Sequence, residues 1–168
     1  ALATLPERHA EQLAITEAWL GADPARHVVT LGDADYPALM LETADPPLLL
    51  YAQGRIELLQ AASIAVVGSR NPTAQGGDNA RAFAKHLSQA GLVVVSGLAL
   101  GIDGAAHEGA LAGSGGTIAV MGTGADRIYP ARHRALAHRI AAEGLLLTEF
   151  EIGTPPLAFN CMNSGCSS

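Results

Sequence analysis

In the second half of the chain, short continuous apolar runs alternate with stretches of helical spacing. Ile64-Ala65-Val66-Val67, Leu92 to Val95, Thr117 to Met121 and Leu145 to Thr148 read as strands. Between the first two, apolar residues recur at Ala80, Phe83, Ala84 and Leu87 in a predicted helix from Thr73 to Ala90, with Gly91 as its stop. Asp103 is placed to cap a second helix ending at Leu111, with Ala106, Ala110 and Leu111 facing the core. A third helix spans Arg132 to Glu143. The strands show no polar alternation, so both of their faces should be covered, as in a parallel sheet with helices on either side. The expected fold is α/β: a Rossmann-like three-layer fold with a mostly parallel sheet.

Residues 1–62 follow a different pattern and predict a short α+β leading segment. Pro6 to Leu20 reads as a helix anchored by Leu13, Trp19 and Leu20, with Trp19 as an aromatic core plug. Val28, Val29 and Leu31 suggest a strand, Asp33 to Pro37 a turn, and Tyr36 to Leu41 a single helical turn. Asp45-Pro46-Pro47 breaks that turn, and Leu48 to Ala52 forms a further strand ended by Gly54. The expected organisation is an N-terminal extension over 1–62, a core over 63–160 and a tail over 161–168.

Composition narrows the function classes. The chain of 168 residues is 49% hydrophobic and 15% charged, which suits a packed domain. Ten basic against 16 acidic residues give a net charge of −6, which excludes a generally basic nucleic-acid coat but leaves room for a local basic site. No apolar run approaches the roughly 20 residues that span a bilayer, and no secretory leader is visible. Both cysteines, Cys161 and Cys166, lie near the C-terminus, so a disulfide framework is not expected and a cytoplasmic location is.

In open parallel sheets, ligands bind beyond the carboxyl ends of the strands. There the chain carries Gly68-Ser69-Arg70-Asn71, then Ser96-Gly97 through Gly101 to Asp103, then Gly122-Thr123-Gly124, and Glu149-Phe150. Glycines let a ligand approach backbone amides, hydroxyls add donors, and helix N-termini favour anions. Arg70 adds a planar cationic fork that matches phosphate. Neither G-x-G-x-x-G after the first strand nor G-x-x-x-x-G-K-[ST] is present. Asp103 and His107 stand four apart on one predicted helix face. They read either as a catalytic or metal-binding pair, or as an N-cap and a hydrogen-bonded packing histidine. Arg127, Arg132, His133 and Arg134 form either a solvated helix face or a phosphate rail. No further ligand has metal-site spacing, and no serine has an evident histidine and acid partner.

Taken together, these motifs resemble those of the DNA-processing protein A family (DprA, also called Smf). Ala65 to Thr73 is similar to its opening motif, and Val95 to His107 to its second. Thr117 to Gly124 followed by Asp126-Arg127-Ile128-Tyr129-Pro130 resembles its third. Leu147 to Phe150 and Gly153-Thr154-Pro155-Pro156 continue in order, and upstream Thr30 to Pro37 and Asp45-Pro46-Pro47 match as well. The resemblance covers roughly residues 27–160. It implies a binding protein without turnover chemistry that holds single-stranded DNA during natural transformation, protects the incoming strand and helps load the RecA recombinase. It also implies a homodimer and no cofactor. The family's Gly-Ser-Arg motif maps onto Gly68, Ser69 and Arg70, with Arg70 as the phosphate contact. The candidate nucleic-acid set is therefore Gly68, Ser69, Arg70, Asn71, Ser96, Gly97, Gly101, Asp103, His107, Gly122, Thr123, Gly124 and Arg127.

The chain departs from the pattern in two places. Leu100 stands where many members carry Arg or Lys. Family members continue after the Thr-Pro-Pro segment with Asn-Phe-Pro-x-Arg-Asn-Arg, whereas here Ala158-Phe159-Asn160 begins in register and the chain diverges from Cys161. Pocket arginines are then missing, and a C-terminally truncated, weaker binder is expected. The other function class is a Rossmann enzyme that holds a nucleoside monophosphate and cleaves its glycosidic bond, with Glu149 and Asp103 as candidate acids or bases. The P-G-G-x-G-T-x-x-E segment of phosphoribohydrolases is absent.

Overall fold

The computed structural model describes residues 7–156. Helix α1 (Glu7–Gly21) leads into β1 (Arg26–Thr30) and β2 (Leu49–Gly54). Short 3-10 helices, Ala38–Glu42 and Ile56–Gln60, flank β2. Then β3 (Ser63–Ala65), α2 (Ala74–Gln89), β4 (Val93–Ser96), α3 (Ile102–Ala110), β5 (Thr117–Val120), α4 (Arg134–Glu143) and β6 (Leu145–Thr148) alternate. The tail from Cys161 and the first residue of the predicted leading helix, Pro6, lie outside the described residues.

The six strands form one sheet in the order β1-β2-β6-β5-β4-β3. β3 through β6 are parallel, while β2 joins β6, and β1 joins β2, antiparallel. The leading segment thus extends the same sheet through the pairs Tyr51–Thr148 to Gly54–Leu145. The chain steps from β3 to β6 always in one direction. Right-handed crossovers therefore deliver α2, α3 and α4 to the same face. Val94, Ala119 and Leu146 point to that face and meet Ala84, Ala106, Ala110, Ala137 and Ile140. The alternate residues Val93, Ile118, Leu145 and Leu147 point the other way, where Leu50 of β2 joins the same face and Leu58 and Leu59 of the leading segment cover it. The helices expected on either side thus lie on one side, and the third layer is made by the leading segment. Trp19 is buried as expected, edge-on to Tyr51 at 5.8 Å between ring centres, with the Arg26 guanidinium 5.2 Å from its centroid.

Several residues expected in the core lie at the surface. All of β3 is exposed, and Val67 beyond it is 64% exposed. β3 is the edge strand and has only β4 beside it, so its apolar run lacks cover that a central strand would have. Phe83 and Leu13 also face solvent. In α2 the contact with α3 is made by the small residues Ala84 and Ser88, leaving Phe83 off the packed face. Among the described residues no helix is long and apolar enough to cross a membrane.

Candidate nucleic-acid interface

Two of the strand-end segments are brought into contact at the carboxyl edge of β3 and β4. The backbone amide of Ile102 donates to the Ser69 carbonyl at 3.1 Å. Gly101, at φ 83° and ψ −125°, is the N-cap of α3 and lies against Ser69, Arg70 and Pro72. Gly68 likewise faces the Ile102 side chain so closely that a Cβ would lie 2.8 Å from it. Residues 68–71 form an exposed loop, closed locally by the Asn71 amide donating to Ser69 Oγ at 3.1 Å. Thr73 then caps α2, its Oγ1 accepting from the Gly76 amide. Arg70 is exposed and makes no ion pair among the described residues. An exposed arginine in a loop that joins two helix N-termini is a setting suited to a phosphate.

Other residues of the candidate set face inward. Ser96 is buried and donates to the Val66 carbonyl at 2.7 Å. Asp103 is 5% exposed and its Oδ2 accepts from the amides of Gly97 at 3.1 Å and Ala99 at 3.4 Å. The Gly97 amide is thus already bonded to the Asp103 side chain, which ties the loop together rather than capping the helix, whose N-cap is Gly101. Between the two amides Leu98 takes φ 59°, a left-handed conformation that a leucine adopts only when its surroundings impose it. Its side chain is fully buried beside Met121 and Ala125, and its carbonyl bonds His133 Nδ1 at 2.9 Å. Neither Leu98 nor His133 was legible as an organiser of this site, because each acts through a partner distant in sequence.

His107 has the hydrogen-bonded packing position that was one of its two readings. It is fully buried, with Nδ1 2.7 Å from Thr117 Oγ1 at the start of β5, the end opposite the strand-end loops. Thr117 spends its proton on the Val94 carbonyl at 2.6 Å, so His107 Nδ1–H must be the donor. Its Nε2 is then a bare acceptor without a partner among the described residues. Burial, and secondarily the neighbouring His133, push the pKa of His107 from 6.5 down to about 3. The unfolded chain binds this proton near pH 6.5 and the folded chain does not, so acid drains stability from pH 6.5 toward 3. His107→Gln should remove a component approaching 1.4 kcal/mol per pH unit from that loss. Urea midpoints of both proteins between pH 7.5 and about 4.5 check this, and parallel pH curves would refute the assignment.

The third and fourth segments pack on each other. Thr123 is buried, donates its hydroxyl to the Arg127 carbonyl, and accepts from Thr148 Oγ1 through its own carbonyl at 2.8 Å. Gly124 is buried against the backbone of Glu151 and Gly153. Gly122 is half-buried, and Arg127 is exposed with Asp126 3.8 Å away. Ser96, Asp103, His107, Thr123 and Gly124 are therefore buried, and the four polar side chains among them hydrogen-bond inside the protein. Gly68, Ser69, Arg70, Asn71 and Arg127 remain accessible, with Gly97, Gly101 and Gly122 partly so. Among the described residues no group of three or more His, Cys, Asp and Glu is arranged to hold a metal ion.

Fold and site together define a Rossmann-like α/β protein whose strand-end loops carry an exposed arginine on a glycine-bounded ledge. Comparison with known proteins makes this specific. The family described as DNA recombination-mediator protein A matches residues 27–163, and the chain belongs to it. The Smf protein of Synechocystis is 44% identical over 132 residues, covering 76% of this chain and 33% of that protein. The DNA processing protein A of Streptococcus pneumoniae has a solved structure that superposes with a TM-score of 0.77 at 38% identity, over 92% of this chain and 54% of that one. The corresponding Helicobacter pylori protein, solved for its single-stranded DNA binding mode, gives a TM-score of 0.74 at 32% identity, over 82% of this chain and 62% of that one. The chain spans between 33% and 45% of the length of the first curated relatives it matches.

Proposed function

We propose that this chain binds single-stranded DNA along the strand-end ledge, with the 68–71 loop and Arg70 as its phosphate anchor. The observation that carries the reading is the exposed Arg70, without an ion-pair partner among the described residues, in a loop whose backbone lies against Gly101 at the N-terminal end of α3. The single-stranded DNA bound by the Helicobacter pylori relative supports it. The net charge of −6 is no obstacle, because counterion release follows the phosphates contacted rather than the whole-protein charge. With 4% aromatic residues the chain has few stacking platforms, which favours contact to the backbone and tolerance of sequence.

Within a recombination-mediator family, such binding fits a role in natural transformation: shielding an incoming strand in the cytoplasm and passing it to the RecA recombinase. It acts by holding the strand, as one half of a homodimer, without turnover chemistry. Arg70→Ala should weaken binding to a thymidine oligomer and lower the slope of log K against log salt by about one contact. Fluorescence anisotropy titrations at several salt concentrations measure both. An unchanged slope and affinity would show that the anchor lies elsewhere. Sedimentation of the protein and a recombinase-loading assay on coated strands test the dimer and the hand-over.

A further inference from the structure

The loop that joins β1 to β2, residues 31–48, turns four leucines to solvent. Leu39 and Leu48 are 72% and 74% exposed, and Leu31 and Leu41 also lie at the surface. Single exposed leucines are ordinary, but four on one short loop form a contact face. The loop is held in place. The Leu31 amide donates to the Leu48 carbonyl at 3.1 Å, which closes its two ends on each other. The buried Tyr36 donates its hydroxyl to the Pro47 carbonyl at 2.8 Å, and Gln60 Nε2 donates to the Tyr36 carbonyl at 3.2 Å. Asp33 Oδ2 accepts from the amide and the hydroxyl of Thr30. Met40 and Pro47 line a cavity of about 340 Å³ under the loop, so the apolar side chains spent inward are these. Leu39 and Leu41, on either side of Met40, are left outside.

Charge decides what can cover these leucines. The loop carries Asp33, Asp35, Glu42 and Asp45, all exposed, and from residue 27 to residue 54 the chain has no lysine or arginine. The ion pairs among the described residues involve none of these acids. Such a face repels a DNA strand and an anionic bilayer. It also repels itself, because pairing the loop with the same loop of a second copy sets the acids of both against each other. A segment that brings apolar side chains and positive charge together meets neither penalty. The pinned backbone of the loop keeps the ordering cost on this side small.

We propose that the 31–48 loop is a docking face for a basic amphipathic helix of a partner protein. The apolar stripe of that helix would seat on Leu31, Leu39, Leu41 and Leu48, with its lysines or arginines against Asp35, Glu42 and Asp45. Helices docked in this way present anchors at i, i+3, i+4 and i+7. β2 stands four strands from β3 in the sheet, roughly 19 Å at the usual spacing, so a partner here leaves the Arg70 loop free. Partner and DNA strand would occupy separate faces.

The probe is a synthetic peptide of about sixteen residues, long enough to form a helix on binding, with leucines at helical spacing and lysines flanking them. It is titrated into the chain labelled at methionine methyls. The Met40 resonance should shift, and binding should weaken at least about tenfold when the lysines are replaced by glutamate or the leucines by serine. Leu39→Ser combined with Leu48→Ser should also cost at least about tenfold. It should leave the melting temperature and the affinity for a thymidine oligomer unchanged, since both side chains are at the surface. Asp35→Asn, Glu42→Gln and Asp45→Asn together should remove most of the salt dependence of peptide binding. An unmoved Met40 resonance at about 1 mM peptide, or equal affinity for the glutamate peptide, overturns the proposal. So does a dimer in sedimentation that the leucine double variant dissolves, which gives the face to a second copy. Flotation with phosphatidylglycerol vesicles that the same variant abolishes gives it to a membrane and overturns the proposal as well.

Discussion

Gly109→Ala is expected to destabilise the protein by about 3 kcal/mol or more, although helix propensity alone argues for a gain of about 1 kcal/mol. Gly109 lies in α3, where alanine is the better helix former. A Cβ at this position would sit 2.1 Å from the carbonyl oxygen of Arg81 and 3.1 Å from its Cα, both backbone atoms of α2. No side-chain rotation relieves such a contact, so the two helices must separate. Their interface is built around Ala84, Ala106 and Ala110, all fully buried. Arg81 is further tied across the same interface to Glu108, with Nη2 to Oε2 at 2.7 Å. Urea denaturation followed by circular dichroism checks this; a variant at least as stable as the parent would show that the helices do not approach so closely. Gly77, in α2 with open space around its Cα, is the matched control and should tolerate alanine.

Gly101→Ala should affect both stability and binding. At φ 83° and ψ −125° the backbone lies where a residue with a Cβ is strained. The added carbon would also meet the Ser69 carbonyl oxygen at 2.3 Å and the Arg70 carbonyl carbon at 2.8 Å. Relief requires the 68–71 loop to move off the N-terminus of α3, breaking the Ile102 to Ser69 hydrogen bond. We expect a loss of about 3 kcal/mol in stability and, through displacement of Arg70, a drop in single-strand affinity of at least about tenfold, or 1.4 kcal/mol. The drop should exceed that of Arg70→Ala, because the whole loop is displaced. Thermal unfolding and anisotropy titration below the melting point separate the two effects. Native affinity in a folded variant would uncouple Gly101 from the interface.

Several site residues looked alike in the sequence and differ in the fold. Ser96 and Thr123 sit at strand ends beside glycines, as Ser69 does, and Asp103 sits beside Gly104 at the end of the loop that follows β4. Their hydrogen bonds to Val66, to Gly97 and Ala99, and to Arg127 consume the groups a ligand would need. Asp103 and His107 share a helix face as expected, yet one organises a loop and the other bonds Thr117 at the far end of β5. Nor was the cavity lined by Met40, Asp45, Pro47 and Glu149 legible: the first three come from the leading segment, which reaches the carboxyl end of β6 through the antiparallel pairing of β2 with β6.

The sequence by itself determined the strand and helix alternation, the parallel run, the glycine-bounded loops and the family motifs that place Arg70 at the first of them. These follow from periodicity and backbone freedom, which are properties of neighbouring residues. Tertiary structure alone decided that α2, α3 and α4 share one face, that β3 is an exposed edge, and which strand-end donors remain free. It also decided that Gly101 and Gly109 admit no Cβ. Each of these depends on an atom from a residue distant in the chain, and local pattern carries no record of that atom's position.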